Sequence, residues 1–456
     1  MNYIAVIDLG TTKVVGLVGE KTPYGCKVIA YSENPSQGVM RGEVVNTQNV
    51  LDAMKPCIEE LQDKIGGKIS KVYVGIAGQH IHSRAESNRV NRDPGLQEIT
   101  LEEIKKMEKS MYTTRVEPGE EVLHVIPQCY HVDDYWELDN PVGMMGKQIE
   151  ANYRLFIGRT TSAENTKRCI ERAGLKLERL ILEPLASAQA VLRDEEKELG
   201  VAMVDIGGGT TDLLVYHDNV IRHAAVIPFG GNVITEDIRQ GCGVVQRKAE
   251  EMKIQYGSCF SDLAPANKTI VFSGAGGSDT REISFRLLAN IIEARMSEIM
   301  DAVLFEIQNS GYAEKLLAGI VLTGGGALMT HLTQYVKFKT GYNARIAKPE
   351  VLDGDSCPEV SDTAYSCAVG LLLKGFEYRD NTKEAELQPS ILTTLFGWPS
   401  SPRPAREQTP KPIKPPKKQV PVEVKKPIEP PKTPKPKKAT IGDMFHDFFN
   451  NIDNNA

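Results

Sequence analysis

A chain of 456 residues with 41% hydrophobic content is long enough for roughly two to three domains and apolar enough to give each a core. Its formal net charge of −6 argues against nucleic acid as a partner. The average conceals a split, because residues 400–438 carry twelve Lys/Arg against three Asp/Glu and the remainder is acidic.

Eight cysteines stand at 26, 57, 129, 169, 242, 259, 357 and 367, with no C-x-x-C pair and no Cys/His cluster. That pattern speaks against a zinc site and predicts reduced thiols used as core or surface filler. The first residues read as a strand, without a basic or apolar leader, and no apolar run approaches the roughly eighteen residues of a membrane span. A cytosolic chain is expected.

Residues 4–7 form an apolar run that predicts a buried strand. Asp8-Leu9-Gly10-Thr11-Thr12-Lys13 follows, and residues 14–18 return as a second strand. Residues 28–31 predict a strand. Residues 50–65 predict a helix with Leu51, Met54, Ile58, Leu61 and Ile65 on one face. Residues 72–76 are a further strand, ending at Gly78. From 83 to 160 the character changes. Arg84, Arg89 and Arg92 lead to a turn at Asp93-Pro94-Gly95, and Thr100 with Glu103 makes a capping-box pattern for a helix to about Met111. Strands are expected at 124–128 and 148–157, so this stretch reads as a small inserted α+β domain. Residues 162–173 predict a helix stopped by Gly174. A strand at 180–182 leads into a helix at 183–190, where Pro184 in the first turn needs no N–H.

At 201–216 the strand, turn, strand pattern recurs. Asp205-Ile206-Gly207-Gly208-Gly209-Thr210-Thr211-Asp212 lies between two apolar runs. A glycine turn inside a hairpin is neither a P-loop nor a dinucleotide fingerprint, since both need a helix directly after the glycines. It suits a hairpin that wraps a phosphate. Glycine lets backbone N–H groups converge on an anion, Thr210 and Thr211 add hydroxyl donors, and Asp205 and Asp212 suit Mg²⁺ through water. Two such hairpins, about two hundred residues apart, would make a clamp if they face each other.

Residues 236–306 read as a mostly helical second insertion, with helices over 244–256 and 281–308. Residues 320–323 predict a buried strand running into Gly324-Gly325-Gly326-Ala327 and then a helix, a turn bare enough for a ring or phosphate to lie on it. Residues 362–374 predict an apolar, small-residue helix. Residues 399–436 hold thirteen of the twenty-six prolines, mixed with lysine, and predict an extended linker without a core. Behind Thr440, the residues Ile441, Met444, Phe445, Phe448, Phe449 and Ile452 form a continuous helical stripe. Isolated by the linker, that stripe predicts a helix lying in a membrane interface, with Lys432, Lys435, Lys437 and Lys438 favouring anionic lipid. Its polar face is poor in cations, and docking in a partner's groove is the rival reading.

Duplicated hairpins, a nucleoside-type glycine turn and two small-residue helices together resemble the actin-like ATPase superfamily over residues 1–375. Within it, Gly75-Ile76-Ala77-Gly78-Gln79-His80-Ile81, Leu123-His124-Val125-Ile126-Pro127-Gln128, Asn140-Pro141-Val142-Gly143-Met144-Met145-Gly146 and Ala249-Glu250-Glu251-Met252-Lys253 are similar to the FtsA family of bacterial cell-division proteins. The resemblance implies an α/β, actin-like duplicated two-domain fold with ribonuclease-H-like halves and an inserted small α+β subdomain. A disordered Pro/Lys-rich linker and a C-terminal amphipathic helix would follow. Residues 1–82, 161–199 and 362–380 would form the first core and 83–160 the insertion that serves self-assembly and later division proteins. Residues 200–235 and 307–361 would form the second core, 236–306 its helical companion, 399–438 the linker and 439–456 the membrane helix.

The resemblance further implies ATP and Mg²⁺ as cofactors, homopolymerisation, and tethering of the FtsZ ring through its C-terminal tail to the cytoplasmic face of the inner membrane. Carried onto this chain, Asp8 and Asp205 would order Mg²⁺. Gly10, Thr11, Thr12, Lys13, Gly207, Gly208, Gly209, Thr210 and Thr211 would bind phosphates. Glu250 and Lys253 would contact ribose or adenine, and Gly324, Gly325 and Gly326 the nucleoside. Glu183 matches the position that orients attacking water in related filaments, so that it and Asp205 are the candidate catalytic residues of at most a slow ATPase. Glu183 equally suits a charge favoured by a helix N-terminus. A small-molecule kinase would need a general base beyond the nucleotide motifs, and none is evident. A chaperone would need a β-domain after residue 375. A pilus-assembly adaptor shares the core but needs no terminal helix.

Overall fold

The computed structural model describes residues 3–387 except 24, 94–97, 274–279, 351 and 355. The expected linker at 399–438 and terminal helix at 439–456, with Ile441, Met444, Phe445, Phe448, Phe449 and Ile452, lie outside the described residues.

The first apolar runs fold as an antiparallel meander of β1 (Tyr3–Leu9), β2 (Lys13–Thr22) and β3 (Gly25–Pro35). After the short pair β4 (Val39–Met40) and β5 (Glu43–Val44), α1 (Thr47–Ile65) packs Val50, Met54, Cys57 and Leu61 onto the sheet. Asn46 caps α1 by accepting from the Gln48 and Asn49 amides, and Gly66 closes it in the left-handed region at φ 61. β6 (Lys71–Ile76) lies parallel to β1.

The insertion then builds a sheet of its own. β7 (His82–Asn91), α2 (Leu101–Met111), β8 (Glu120–Val132), β9 (Tyr135–Leu138) and β10 (Gln148–Arg159) give the strand order β7-β10-β8-β9. α2 covers it with Ile104, Met107 and Met111 over Val132, Tyr153 and Leu155. Thr100 and Glu103 close the expected capping box. The extended strand β7 occupies residues for which the sequence predicts only an approach to a turn. Its charged sequence carries no apolar alternation, and it is held instead by ten paired positions along β10. α3 (Thr160–Arg172), β11 (Lys176–Leu182) and α4 (Glu183–Val191) return to the first sheet, whose order is β11-β6-β1-β2-β3.

α5 (Asp194–Leu199) leads to a second meander, β12 (Val201–Ile206), β13 (Thr211–His217) and β14 (Val220–Ile227). α6 (Gly231–Cys242) and α7 (Gln246–Tyr256) follow, then the hairpin β15 (Thr269–Ser273) and β16 (Thr280–Ser284), and α8 (Phe285–Asn309). β17 (Gly319–Thr323), α9 (Leu332–Thr340) and β18 (Ala344–Ile346) complete a sheet of order β14-β13-β12-β17-β18. Each half thus pairs an antiparallel meander with two parallel strands, so the repeated motif is a repeated sheet. α10 (Ser366–Leu387) crosses α4 at its small residues: a Cβ on Gly370 would fall 1.8 Å from the Ala186 carbonyl oxygen.

Three sequence boundaries are corrected. Arg281 belongs to β16, and the long helix starts at Phe285 behind the Ser284 cap. Besides these boundaries, α6 has no counterpart among the predicted helices. The helix expected directly after the Gly324 turn is first a short 3-10 segment, Gly325–Leu328, and the helix from 362 likewise opens in 3-10 turns before Ser366.

Candidate functional site

The β1–β2 and β12–β13 turns meet. A Cβ on Gly208 would stand 2.0 Å from Thr12 Oγ1, and one on Gly209 2.4 Å from Thr11 Oγ1. Only glycine permits that approach. The second turn is also fastened to the start of α6, where the Gly231 and Asn232 amides donate to the Gly207 and Gly208 carbonyls at 2.9 and 2.8 Å. Gly324, at φ 83, brings bare backbone against Asp205; a Cβ there would lie 2.2 Å from Asp205 Oδ1.

These turns enclose a cleft of about 410 Å³, within the range of small-molecule sites. Every candidate phosphate, nucleoside, metal and catalytic residue read from the sequence lines it, with one exception. Thr211 sits buried in β13, and its hydroxyl donates to the Phe229 carbonyl at 2.9 Å. It supports the turn from behind and is removed from the phosphate donors. Lys253 Nζ, 2.8 Å from the Glu250 carboxylate, also donates to the Gly231 carbonyl at 3.0 Å, so this pair braces the N-terminus of α6. Lys13 lines the cleft, yet its ammonium is 3.2 Å from Glu33 and 3.4 Å from the centre of the Tyr365 ring.

Four carboxylates, Asp8, Glu183, Asp205 and Asp212, face the cleft floor. Burial, with the Asp205 charge, pushes Asp8 up to about 6 against the opposing pull of Lys13 and Cys367. Burial pushes Asp205 up to about 6 although Ser187 donates to it at 2.6 Å. Glu183 and Asp212 lie well above the usual carboxylate range, through burial and then their acidic neighbours. Asp212 is 4% exposed, and among the described residues its Oδ1 has no hydrogen-bond partner. Such a donor set of hard oxygens, one of them orphaned, fits a divalent cation such as Mg²⁺. Asp212, which the sequence offers beside Asp205 for Mg²⁺ through water, lines the same cleft.

Other lining residues escaped the sequence reading. Asn232 follows the Gly230-Gly231 pair at the start of α6, and that pair before a helix was a usable signal. The sequence predicts Cys367 to be filler like the other cysteines. Its thiol instead lies with the Asp8 and Glu183 carboxylates, all within 4.8 Å of one another, and burial with those acids raises it well above a free thiol. No signal in the sequence set it apart from the other cysteines.

A family model for the cell-division protein FtsA matches residues 202–370, and one for the SHS2 domain inserted in FtsA matches residues 78–157. FtsA of Neisseria meningitidis serogroup B is 36% identical over 386 residues, covering 84% of this chain and 92% of its own length. The chain belongs to the FtsA family of cell-division proteins. FtsA of Escherichia coli K12 agrees, at 34% identity over 400 residues, 86% of this chain and 94% of that one. Solved structures set the fold beyond the family. A PilM–PilN type IV pilus biogenesis complex aligns with a TM-score of 0.56 at 17% identity, over 82% of this chain and 98% of that one. MreB5 of Spiroplasma citri bound to ADP aligns at 0.52 and 17%, over 85% and 99%. The architecture of this FtsA-family chain is therefore mixed α/β and actin-like, and the inserted sheet is its SHS2 domain.

Proposed function

We propose that this FtsA-family chain binds ATP with Mg²⁺ between its two hairpins, polymerises in response, and tethers FtsZ to the cytoplasmic membrane. The observation that carries the nucleotide part is the closure of two glycine turns over four carboxylates in one cleft, two of them buried and two half-buried. Gly10, Thr11, Thr12 and Gly207 to Thr210 would offer amides and hydroxyls to phosphate oxygens, and the glycines allow that close approach. Lys13 would add its charge on leaving Glu33. Asp8, Asp205 and Asp212 would hold Mg²⁺, directly or through water, and the ion would supply neutralisation of phosphate charge. Glu183, once ionised, would accept a hydrogen bond from water at the terminal phosphate. Burial and the neighbouring acids raise the Glu183 carboxyl above its ordinary range, and a cation held by those acids would offset their part of that effect. The nucleotide would be chiefly a conformational and assembly ligand of at most a slow ATPase.

Equilibrium binding of a fluorescent ATP analogue tests this reading. Wild type is expected to bind saturably and only with Mg²⁺, and Gly208→Ala at least about tenfold more weakly, since a methyl group there must push Thr12 aside. A wild-type chain without saturable binding would sink the proposal.

The tether rests on the stripe from Ile441 to Ile452, the lysines before it and the family. Full-length protein should sediment with vesicles containing anionic lipid and carry a peptide of the FtsZ tail with it. A chain ending at residue 439 should leave both in the supernatant. Equal sedimentation of the two would show that the stripe has another use.

A further inference from the structure

We propose that His124 is the joint between the inserted sheet and the nucleotide cleft, positioning Glu183 through the backbone of Leu182. The proposal builds on the nucleotide reading above. His124 stands on β8 and is 1% exposed. Its Nε2 accepts the Leu182 amide at 3.0 Å. Leu182 is the last residue of β11 and the N-cap of α4, whose first residue is Glu183. Leu182 has no capping side chain, so the entry to this helix is secured from another subdomain. An imidazole that accepts at Nε2 carries its proton on Nδ1 and is neutral. Burial and the positive charges of Arg179 and Lys374 push His124 down to about 3, which preserves that form at any physiological pH.

The insert grips β11 at a second point. Arg179 donates from Nη2 to the Tyr112 hydroxyl at 2.8 Å, and Tyr112 is the C-cap that follows α2. A register shift between Leu177 and Arg179 re-aims that side chain, and the guanidinium also lies 4.0 Å from the centre of the Tyr378 ring on α10. β11 is thus held at its middle and at its end by the insert, and its end leads straight to the cleft. Glu183 has little freedom of its own, because it packs on β6 where a Cβ at Gly75 would lie 2.9 Å from Oε1. Its carboxylate follows the strand end. A partner seated on the insert that tilts β8 would therefore shift Glu183, and a nucleotide that moves Glu183 would act back on β8 to the same extent.

Hydrogen exchange on the full-length protein tests the joint, with and without Mg²⁺ and a non-hydrolysable ATP analogue. In wild type the analogue should slow exchange at 205–212 and also at 120–132. His124→Leu should keep the first effect, lose the second, expose the amides at 180–184 and weaken analogue binding by about tenfold. His124→Gln, whose carboxamide oxygen reaches about as far as Nε2, should restore all three. Tyr112→Phe, which removes only the second grip, should reduce the effect at 120–132 partway. Protection at 120–132 that persists in His124→Leu overturns the proposal, as does a His124→Gln protein that behaves like His124→Leu. Absence of protection at 205–212 in wild type overturns the nucleotide reading and this joint with it.

Discussion

Asp8 and Asp205 each ionise near 6 in the folded chain, against 3.8 for an ordinary aspartate. Because the folded state holds these protons more tightly, their contribution to stability is full below about pH 4 and is lost as pH rises through about 6. The loss is on the order of a few kcal/mol for such buried groups. Without cation, the melting temperature should fall between pH 5 and pH 7.5 as measured by scanning calorimetry. Mg²⁺ with nucleotide should raise it more at pH 7.5 than at pH 5, where protons occupy the same oxygens. Asp212→Asn removes an acid that burial and its acidic neighbours disfavour as a carboxylate and whose Oδ1 has no hydrogen-bond partner among the described residues. It should raise the melting temperature of the ligand-free protein at pH 7.5 by a few degrees and weaken Mg²⁺-dependent nucleotide binding at least about tenfold. A variant that melts earlier and binds normally would remove Asp212 from the cation set. The sequence placed Asp8 and Asp205 here because each ends an apolar strand beside a glycine turn. It could not single out Cys367, whose position depends on how α10 enters the cleft.

Elements were legible where their patterns were local. The helix at 50–65, the capping box at Thr100 and the glycine hairpins needed only spacing and turn chemistry. β7 and β16 were not legible, because their charged and polar residues carry no apolar alternation and gain strand geometry from a partner, whereas β15 is apolar but short and lies in a stretch that reads as mostly helical. Arg92 illustrates the same gap. It reads as one of three arginines before a turn, yet its side chain is 1% exposed and ties the insert together. It donates to Glu103 at 2.9 Å and to the Gly146 and Glu98 carbonyls at 2.8 Å each. Arg92→Leu would leave Glu103 and both carbonyls without their donor, and should cost about 3–5 kcal/mol. Exchange at 98–111 should report the loss locally, with 201–217 unchanged. Uniform loosening of both halves would show that the insert does not fold as its own unit.

At the scale of the molecule, the two halves share one apolar core through α4 and α10, with Leu185, Ala186, Val369 and Leu372 fully or almost fully buried. The crossing tolerates no added atom at Gly370. Gly370→Ala drives a methyl group into the backbone at Ala186, which cannot rotate away, and should lower unfolding stability by about 3 kcal/mol or more in urea titration. A loss below about 1 kcal/mol would mean that the helices slide freely.

Sequence by itself determined that two phosphate-type hairpins exist, that a foreign domain interrupts the first half, and which family the chain resembles. These are properties of short stretches, in which residue type dictates backbone geometry directly. Tertiary structure decided that the hairpins meet, that Thr211 turns away while Asp212 joins the acids, and that His124 reaches Leu182 across 58 residues. Each of those depends on elements remote in the chain being packed to within a few tenths of an ångström, and no local pattern encodes such a distance.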